Sequence, residues 1–226
     1  MKIKYYRVIL FLVSITIFQA CTSYKPFYDK TQLNWESANS PDSLKLKYSV
    51  WLIGDGGVPD KDAQEPVLKL LQSQVFHHDT SRLYPLPDTG KVNNSHAEDV
   101  VIFLGDNIYE TGLPEPDAPD REEKERRINE QMNVVKNFKG QKIFVPGNHD
   151  WNESRAGGLA AIMRQEQYIE QYLNSGDVLM PSNGCGGPVE VQLNKDLVII
   201  AIDSEWWLGK HEKSIAPDNG CTVSSR

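Results

Sequence analysis

The sequence predicts an α/β fold: a layered sandwich of mixed sheets flanked by helices. Two observations carry that reading. Short apolar runs end in Gly-Asp or Gly-Asn: Val50-Trp51-Leu52-Ile53 precedes Gly54-Asp55-Gly56-Gly57, Val100-Val101-Ile102-Phe103-Leu104 precedes Gly105-Asp106-Asn107-Ile108-Tyr109, and Ile143-Phe144-Val145 leads through Pro146 into Gly147-Asn148-His149-Asp150. Such runs read as buried parallel strands. Between them lie stretches with helical spacing, giving strand, helix, strand, helix, strand, helix and then a strand pair. In open α/β sheets ligands bind at the carboxyl ends of strands. Three loops at that edge bring two carboxylates, an amide oxygen and a phenol toward one point, a donor set suited to hard cations.

Taken in order, the first strand is predicted over residues 48–53. Residues 61–76 carry Val67, Leu68, Leu71 and Val75 at helical spacing, with Pro66 in the first turn. Pro85, Pro87, Gly90 and Asn93-Asn94 make residues 77–99 a long loop. The second strand covers 100–104. A proline-rich acidic stretch, 113–120, precedes a charged helix over 121–138 with Ile128, Met132 and Val135 inward. Its run of Arg, Glu and Lys reads as a solvated helix face. The third strand covers 142–145 and the next helix 159–173. Residues 188–193 and 197–202 form a strand pair turned at Asn194-Lys195-Asp196. No internal repeat or low-complexity tract interrupts the pattern.

Chain length and a 39% hydrophobic content suffice for one core. The net charge of -7, without a Lys/Arg cluster able to track phosphates, argues against a nucleic-acid surface. The first 20 residues read as an export signal: Lys2, Lys4 and Arg7 are followed by an apolar run too short to span a bilayer comfortably, then by Gln19-Ala20-Cys21. A cysteine after a small residue there resembles a bacterial lipoprotein signal, with cleavage before Cys21 and lipidation of its thiol. An ordinary signal peptide or an uncleaved anchor is the alternative. On the lipoprotein reading, residues 21–47 form a tether and the domain begins at 48. The protein is then exported and held in the cell envelope by its lipid. In that oxidising compartment the remaining Cys185 and Cys221 are compatible with one disulfide, the alternative being two free thiols.

With these motifs on the page, the chain resembles the calcineurin-like metallophosphoesterases. It lacks the first-motif histidine, reading Asp55-Gly56-Gly57, and carries Tyr109 three residues after Asp106. This Gly-Asp-x-x-Tyr form resembles the purple-acid-phosphatase branch. A phenolate can take the place of that histidine and favours a harder ion such as ferric iron. The resemblance implies two metal ions, with iron at the first site and iron, zinc or manganese at the second. Asp55 would bind the first, Asp106 both, Tyr109 the first as phenolate, and Asn148 the second. His149 would contact the phosphate or protonate the leaving alkoxide. Asp150 would orient that imidazole, with helix capping as its rival role. The implied reaction is hydrolysis of a phosphate ester by water activated at the dinuclear centre.

Other residues carry less. His77, His78 and His96 read as surface histidines, His211 fits no motif, and Trp206 and Trp207 read as packing or rim residues. Asp203, after the last strand, sits where a loop could reach the site but is not counted among the site residues. Two later elements of the family pattern, Val-x-x-His and Gly-His-x-His, do not follow Asp150. The resemblance therefore implies the N-terminal part of a longer domain, and this chain by itself is expected to hold metal weakly and turn over little. The competing reading is a non-catalytic envelope lipoprotein that uses the same fold for binding or assembly. The substrate ester and the oligomeric state stay open.

Overall fold

The computed structural model of the chain describes residues 48–61, 65–77, 99–210, 212–213 and 221. The export signal, the tether with Cys21, most of the 77–99 loop with His78 and His96, and His211 lie outside the described residues. The elements are β1 (Val50–Ile53), α1 (Pro66–His77), β2 (Val100–Phe103), α2 (Arg121–Val135), β3 (Gln141–Phe144), a short turn of helix (Asn152–Ser154), α3 (Gly158–Leu173), β4 (Val189–Asn194), β5 (Leu197–Ala201) and α4 (Ser204–Leu208).

Strands β1, β2 and β3 form a parallel sheet in that order, with Val50 opposite Val100 and Phe103 opposite Phe144. Beyond β3, the Phe144 amide donates to Val178 O and its carbonyl accepts from the Met180 amide, both at 2.8 Å, which extends the pairing by one bridge at Leu179. β4 and β5 pair antiparallel through the turn at Asn194 to Asp196. The fold is thus an α/β arrangement of parallel and antiparallel sheets flanked by helices.

Successive residues of a strand point to opposite faces, and β2 buries both. Val101 and Phe103 join one core with Leu68, Leu71 and Val75 of α1, Ile128, Met132 and Val135 of α2, and Ile162 and Ile169 of α3. Within it Phe103 stacks on Phe144 of β3 at 4.2 Å between ring centroids. Val100 and Ile102 face the other way, joining Ile143, Met180 and Ala201 under the β4–β5 hairpin. Each fully buried large side chain contributes about 1.5–3 kcal/mol by leaving water. The hairpin's outer face remains exposed at Val198 and Ile200.

The predicted elements occur with shifted ends. α1 starts at Pro66, not at 61, because proline suits the first helical position and disfavours helical backbone in Glu65 before it. α2 ends at Val135 before a tight turn closed by the Phe138 amide on Val135 O. α4 was not predicted; its cap is Asp203, whose carboxylate accepts from the Trp206 amide at 2.9 Å. Trp206 is buried and Trp207 is partly exposed. Cys185 and Cys221 are joined as a disulfide, with Cα atoms 5.5 Å apart.

Two buried carboxylates tie loops to this frame. Glu166 of α3 accepts from the Asn183 amide through both oxygens, at 2.8 and 2.9 Å. Asp203 accepts from Trp151 Nε1 at 2.6 Å as well as from the Trp206 amide. Burial raises both to about 7, from ordinary values of 4.5 and 3.8. Each group takes up its proton in the folded chain at a higher pH than in the unfolded one. Their contribution to stability is therefore complete below about pH 4 and is lost as pH rises through 7. The urea midpoint is expected to be higher at pH 5.5 than at pH 8, with Glu166→Gln flattening the profile. An equal or higher midpoint at pH 8 refutes this linkage.

Candidate metal centre at the carboxyl ends of the parallel strands

The parallel register sets the ends of β1, β2 and β3 side by side, so the loops that follow emerge at one edge. The Leu104 amide still donates to Ile53 O at 2.7 Å, and the Asp55 amide to Gly105 O at 3.3 Å. There the backbone turns sharply. Asp55 and Asp106 both have left-handed φ, 56° and 52°. Such a conformation disfavours side chains, and short polar ones tolerate it best.

This turn points three oxygens at one another. The Tyr109 hydroxyl lies 2.6 Å from Asp55 Oδ1 and 2.9 Å from Asp106 Oδ2, so its one proton stands between the two carboxylates. The other Asp106 oxygen accepts from the His149 amide at 3.2 Å. Burial, followed by the hydrogen bonds to the two carboxylates, raises the phenol far above its ordinary value, so it stands as a proton donor here. Asn148 lines the same cleft as Asp55 and Asp106, a space of about 580 Å³ whose other wall includes Leu104, Ile200 and Glu205. Gly147 leaves room for Asp106: a Cβ there would run into its carboxylate and lie 2.5 Å from its amide nitrogen. Sequence reasoning put Asp55, Asp106, Tyr109 and Asn148 together, and the structure brings them to one place.

His149 lies beside them, its ring 4.3 Å from that of Tyr109 between centroids. Its Nδ1 donates to Glu110 O at 2.5 Å, since a carbonyl can only accept.

Asp150 does something other than orient that imidazole. It is fully buried, and its carboxylate accepts from the amides of Gly147 (2.8 Å), Asn107 (3.1 Å) and Ile108 (3.1 Å) and from the side chains of Asn107 (3.2 Å) and Gln165 (3.0 Å). The expectation that Asp150 serves the histidine is corrected: adjacent residues in this tight turn point to different sides, and Asp150 points into the protein. Burial raises it to about 6 against the pull of those donors, leaving it ionised at neutral pH.

Helix α2 is also more than a solvated face. Lys124 Nζ and Arg127 Nη1 each donate to Tyr109 O at 2.6 Å, and Gln131 Nε2 donates to Asn107 O at 2.7 Å. Arg121 holds Pro114 O and Arg126 holds Pro59 O, at 2.5 and 3.1 Å. Lys124, Arg127 and Gln131 follow one another at helical spacings of three and four, which puts them on one face. That periodicity among polar residues was the available signal, masked by the charges around it.

The family model of the calcineurin-like phosphoesterases matches residues 48–213. The chain belongs to the calcineurin-like phosphoesterase family. No match was found among curated proteins or among solved structures. Calcineurin-like phosphoesterases are metal-dependent hydrolases of phosphate esters, and the matched span holds all three loop motifs. Among the described residues no group of three His, Cys, Asp or Glu side chains surrounds one point. The residues present nonetheless fit a metal in kind: two carboxylates facing one phenol proton are a charge arrangement that a hard cation relieves, and all the donors are oxygen.

Asp150→Ala would leave the amides of Gly147, Asn107 and Ile108 without their acceptor, at about 1–3 kcal/mol for each buried donor left unpaired. The expected loss in denaturant unfolding is about 3–5 kcal/mol in total. A loss below about 1 kcal/mol would show that water or a neighbour replaces the carboxylate, and that the latch is dispensable.

Proposed function

We propose that the chain carries metal ligands of a phosphate-ester hydrolase of the purple-acid-phosphatase type, using a dinuclear centre. The observation that carries this reading is the Tyr109 hydroxyl set between Asp55 and Asp106, where other branches would place a histidine. On this reading Asp55 and Tyr109 hold the first ion, Asp106 bridges, and Asn148 holds the second. Iron suits the first position, because only a strongly charged ion reverses the protonation that burial and the two carboxylates impose on Tyr109. Bound metal supplies Lewis acidity toward water and the phosphoryl oxygens. Gly147 leaves the Asp106 carboxylate room to reach the ions, since a Cβ there would run into it. His149, with Nδ1 donating to Glu110 O, has Nε2 left, and as the imidazolium it would donate from there to a phosphoryl oxygen or give that proton to the leaving alkoxide, returning to the neutral ring.

Two further parts of the proposal concern what surrounds the centre. The aliphatic side chains of Leu52, Leu104, Ile200 and Ile202 are more than half exposed, and Leu104, Ile200 and Ile202 line the cleft. An apolar area of this kind supports a reading in which further protein covers it and supplies the remaining ligands, so that this chain alone holds metal weakly. Lipidation at Cys21 would keep the domain in the envelope, where the Cys185–Cys221 bridge is stable.

The test uses native protein from its source. Reconstitution with ferric iron is expected to give a visible phenolate-to-iron charge-transfer band, lost in Tyr109→Phe. Asp106→Asn is expected to lower metal-dependent hydrolysis of an aryl phosphate by more than about 100-fold, beyond the effect of losing an outer-shell group. Hydrolysis without the band would keep the esterase and overturn the tyrosinate-iron assignment. Metal binding without hydrolysis of any phosphate ester would favour the binding lipoprotein.

A further inference from the structure

A second, smaller space opens beside Asp55. Gly54 and Asp55 line both this space and the cleft of the candidate metal centre, and its other walls include Gly56, Val58, Pro59, Glu65, Val67 and Leu68. Its volume is about 230 Å³. Pockets that take drug-sized ligands run to roughly 300–1,000 Å³, so this one suits a smaller group. The loop that forms one wall is fastened from outside. Arg126 of α2 holds Pro59 O at 3.1 Å, Lys61 pairs with Glu123 at 3.1 Å, and the Tyr109 amide donates to Gly57 O at 3.2 Å.

The polar groups of the pocket are only partly engaged. Glu65 accepts from the Lys69 amide at 2.9 Å through its backbone carbonyl, while its carboxylate has no hydrogen bond or ion pair among the described residues. The Val67 and Leu68 amides precede that first helical bond, so they have no carbonyl partner within α1. Gln131, fully buried, uses Nε2 on Asn107 O at 2.7 Å, and its Oε1 has no partner among the described residues. A Cβ on Gly56 would stand 3.0 Å from that Oε1, so the oxygen faces a glycine of the pocket lining. A buried acceptor without a donor is costly, and it marks the place of a missing partner. Beside these groups stand the aliphatic Val58 and Val67, both more than half exposed.

Acceptors alone would call for a cation, but the positive end of the α1 dipole disfavours one here. Amides alone would call for an anion, which Asp55 and Glu65 oppose. A hydroxyl meets both kinds of group, because it donates one proton and accepts through its lone pairs. The aliphatic side chains suit the carbon skeleton that bears it. We propose that this pocket is a leaving-group subsite and that the substrate is a phosphate ester of a small polyol. With the phosphate at Asp55 and Asp106, a free hydroxyl of the alcohol reaches past Asp55, donates to Glu65 and accepts from the first-turn amides of α1. A second hydroxyl, directly or through one water, supplies the donor that Gln131 Oε1 lacks. This deepens the reading of the chain as a phosphate-ester hydrolase and rests on it.

Two measurements keep the subsite apart from that reading. In the native metal-loaded protein, glycerol 1-phosphate is compared with propyl phosphate, which has the same carbon chain and no free hydroxyl. The ratio of kcat/KM values is expected to favour the polyol ester by about tenfold or more, since a site built to hydrogen-bond a hydroxyl rejects the analogue without it. Glu65→Ala removes the acceptor, and Val67→Trp fills the pocket from an exposed helix position; each is expected to bring that ratio toward one. Equal values in the unaltered protein, or a preference that survives in either folded variant, overturn the proposal. The second measurement needs neither metal nor turnover. Amide proton–nitrogen spectra of the metal-free full chain are recorded with glycerol and with 1-propanol. The amides of Gly56, Val67 and Leu68 are expected to shift with glycerol and to stay in place with propanol. No shift, or equal shifts with both alcohols, overturns the subsite. If the protein hydrolyses no phosphate ester while glycerol still shifts these amides, the hydrolase reading falls and the pocket stands as a polyol-binding site.

Discussion

The carboxylate of Asp150 is the constraint on which the rest of the site depends. It gathers amides from two separate loops, Asn107 and Ile108 after β2 and Gly147 after β3, into a dry interior. Buried amides need acceptors, and strand pairing has already ended at these positions. One anionic side chain supplies what the sheet no longer can. Gln165 of α3 and the Asn107 side chain add donors, so the charge is spread over a full shell. The loops that carry Asp106 and Asn148 are thereby locked to each other before any ion arrives. A second buried acid, Asp203, does similar work farther along, holding Trp151 to the start of α4.

From the opposite side, α2 grips the same loop by its carbonyls. Lys124 and Arg127 converge on Tyr109 O, and Gln131 takes Asn107 O. Carbonyls meet cations and an amide above; amides meet a carboxylate below. With its backbone saturated on both sides, the loop can keep Asp106 at a left-handed φ. Glu123 in turn receives Lys61, Arg126 and Arg127, which orders the charges of α2 and lowers its own proton affinity well below the usual carboxylate range.

Much of this was legible in sequence because it follows from period and punctuation. Apolar runs before Gly-Asp or Gly-Asn gave the three parallel strands, and Ile128, Met132 and Val135 gave the inward face of α2. The grouping of Asp55, Asp106 and Tyr109 was expected from loops leaving parallel strands at one edge and from the family resemblance. What escaped was direction. Asp150 adjoins His149 in sequence, yet a tight turn sends adjacent side chains apart, and only coordinates show that one enters the core. Lys124 and Arg127 were obscured by the charges flanking them, since a residue's partner across space leaves no mark on its neighbours. A left-handed run at Asn152–Ser154 has no signature either: none of the three is glycine, and tertiary contacts impose the conformation.

The unequal burial of β1 and β2 bears on the site they share. β2 has hydrogen-bonded neighbours on both sides and is buried throughout, whereas β1 has one described neighbour and leaves Leu52 62% exposed. Local opening is easier where fewer contacts oppose it. Asp106, Asn148 and His149 thus belong to a fixed jaw, braced by Asp150 and α2, and Asp55 to a yielding one. A cation entering between them would find its distances dictated on one side and negotiable on the other. On the proposed metal reading, tolerance for ions of different radius would reside in β1, and selectivity in β2.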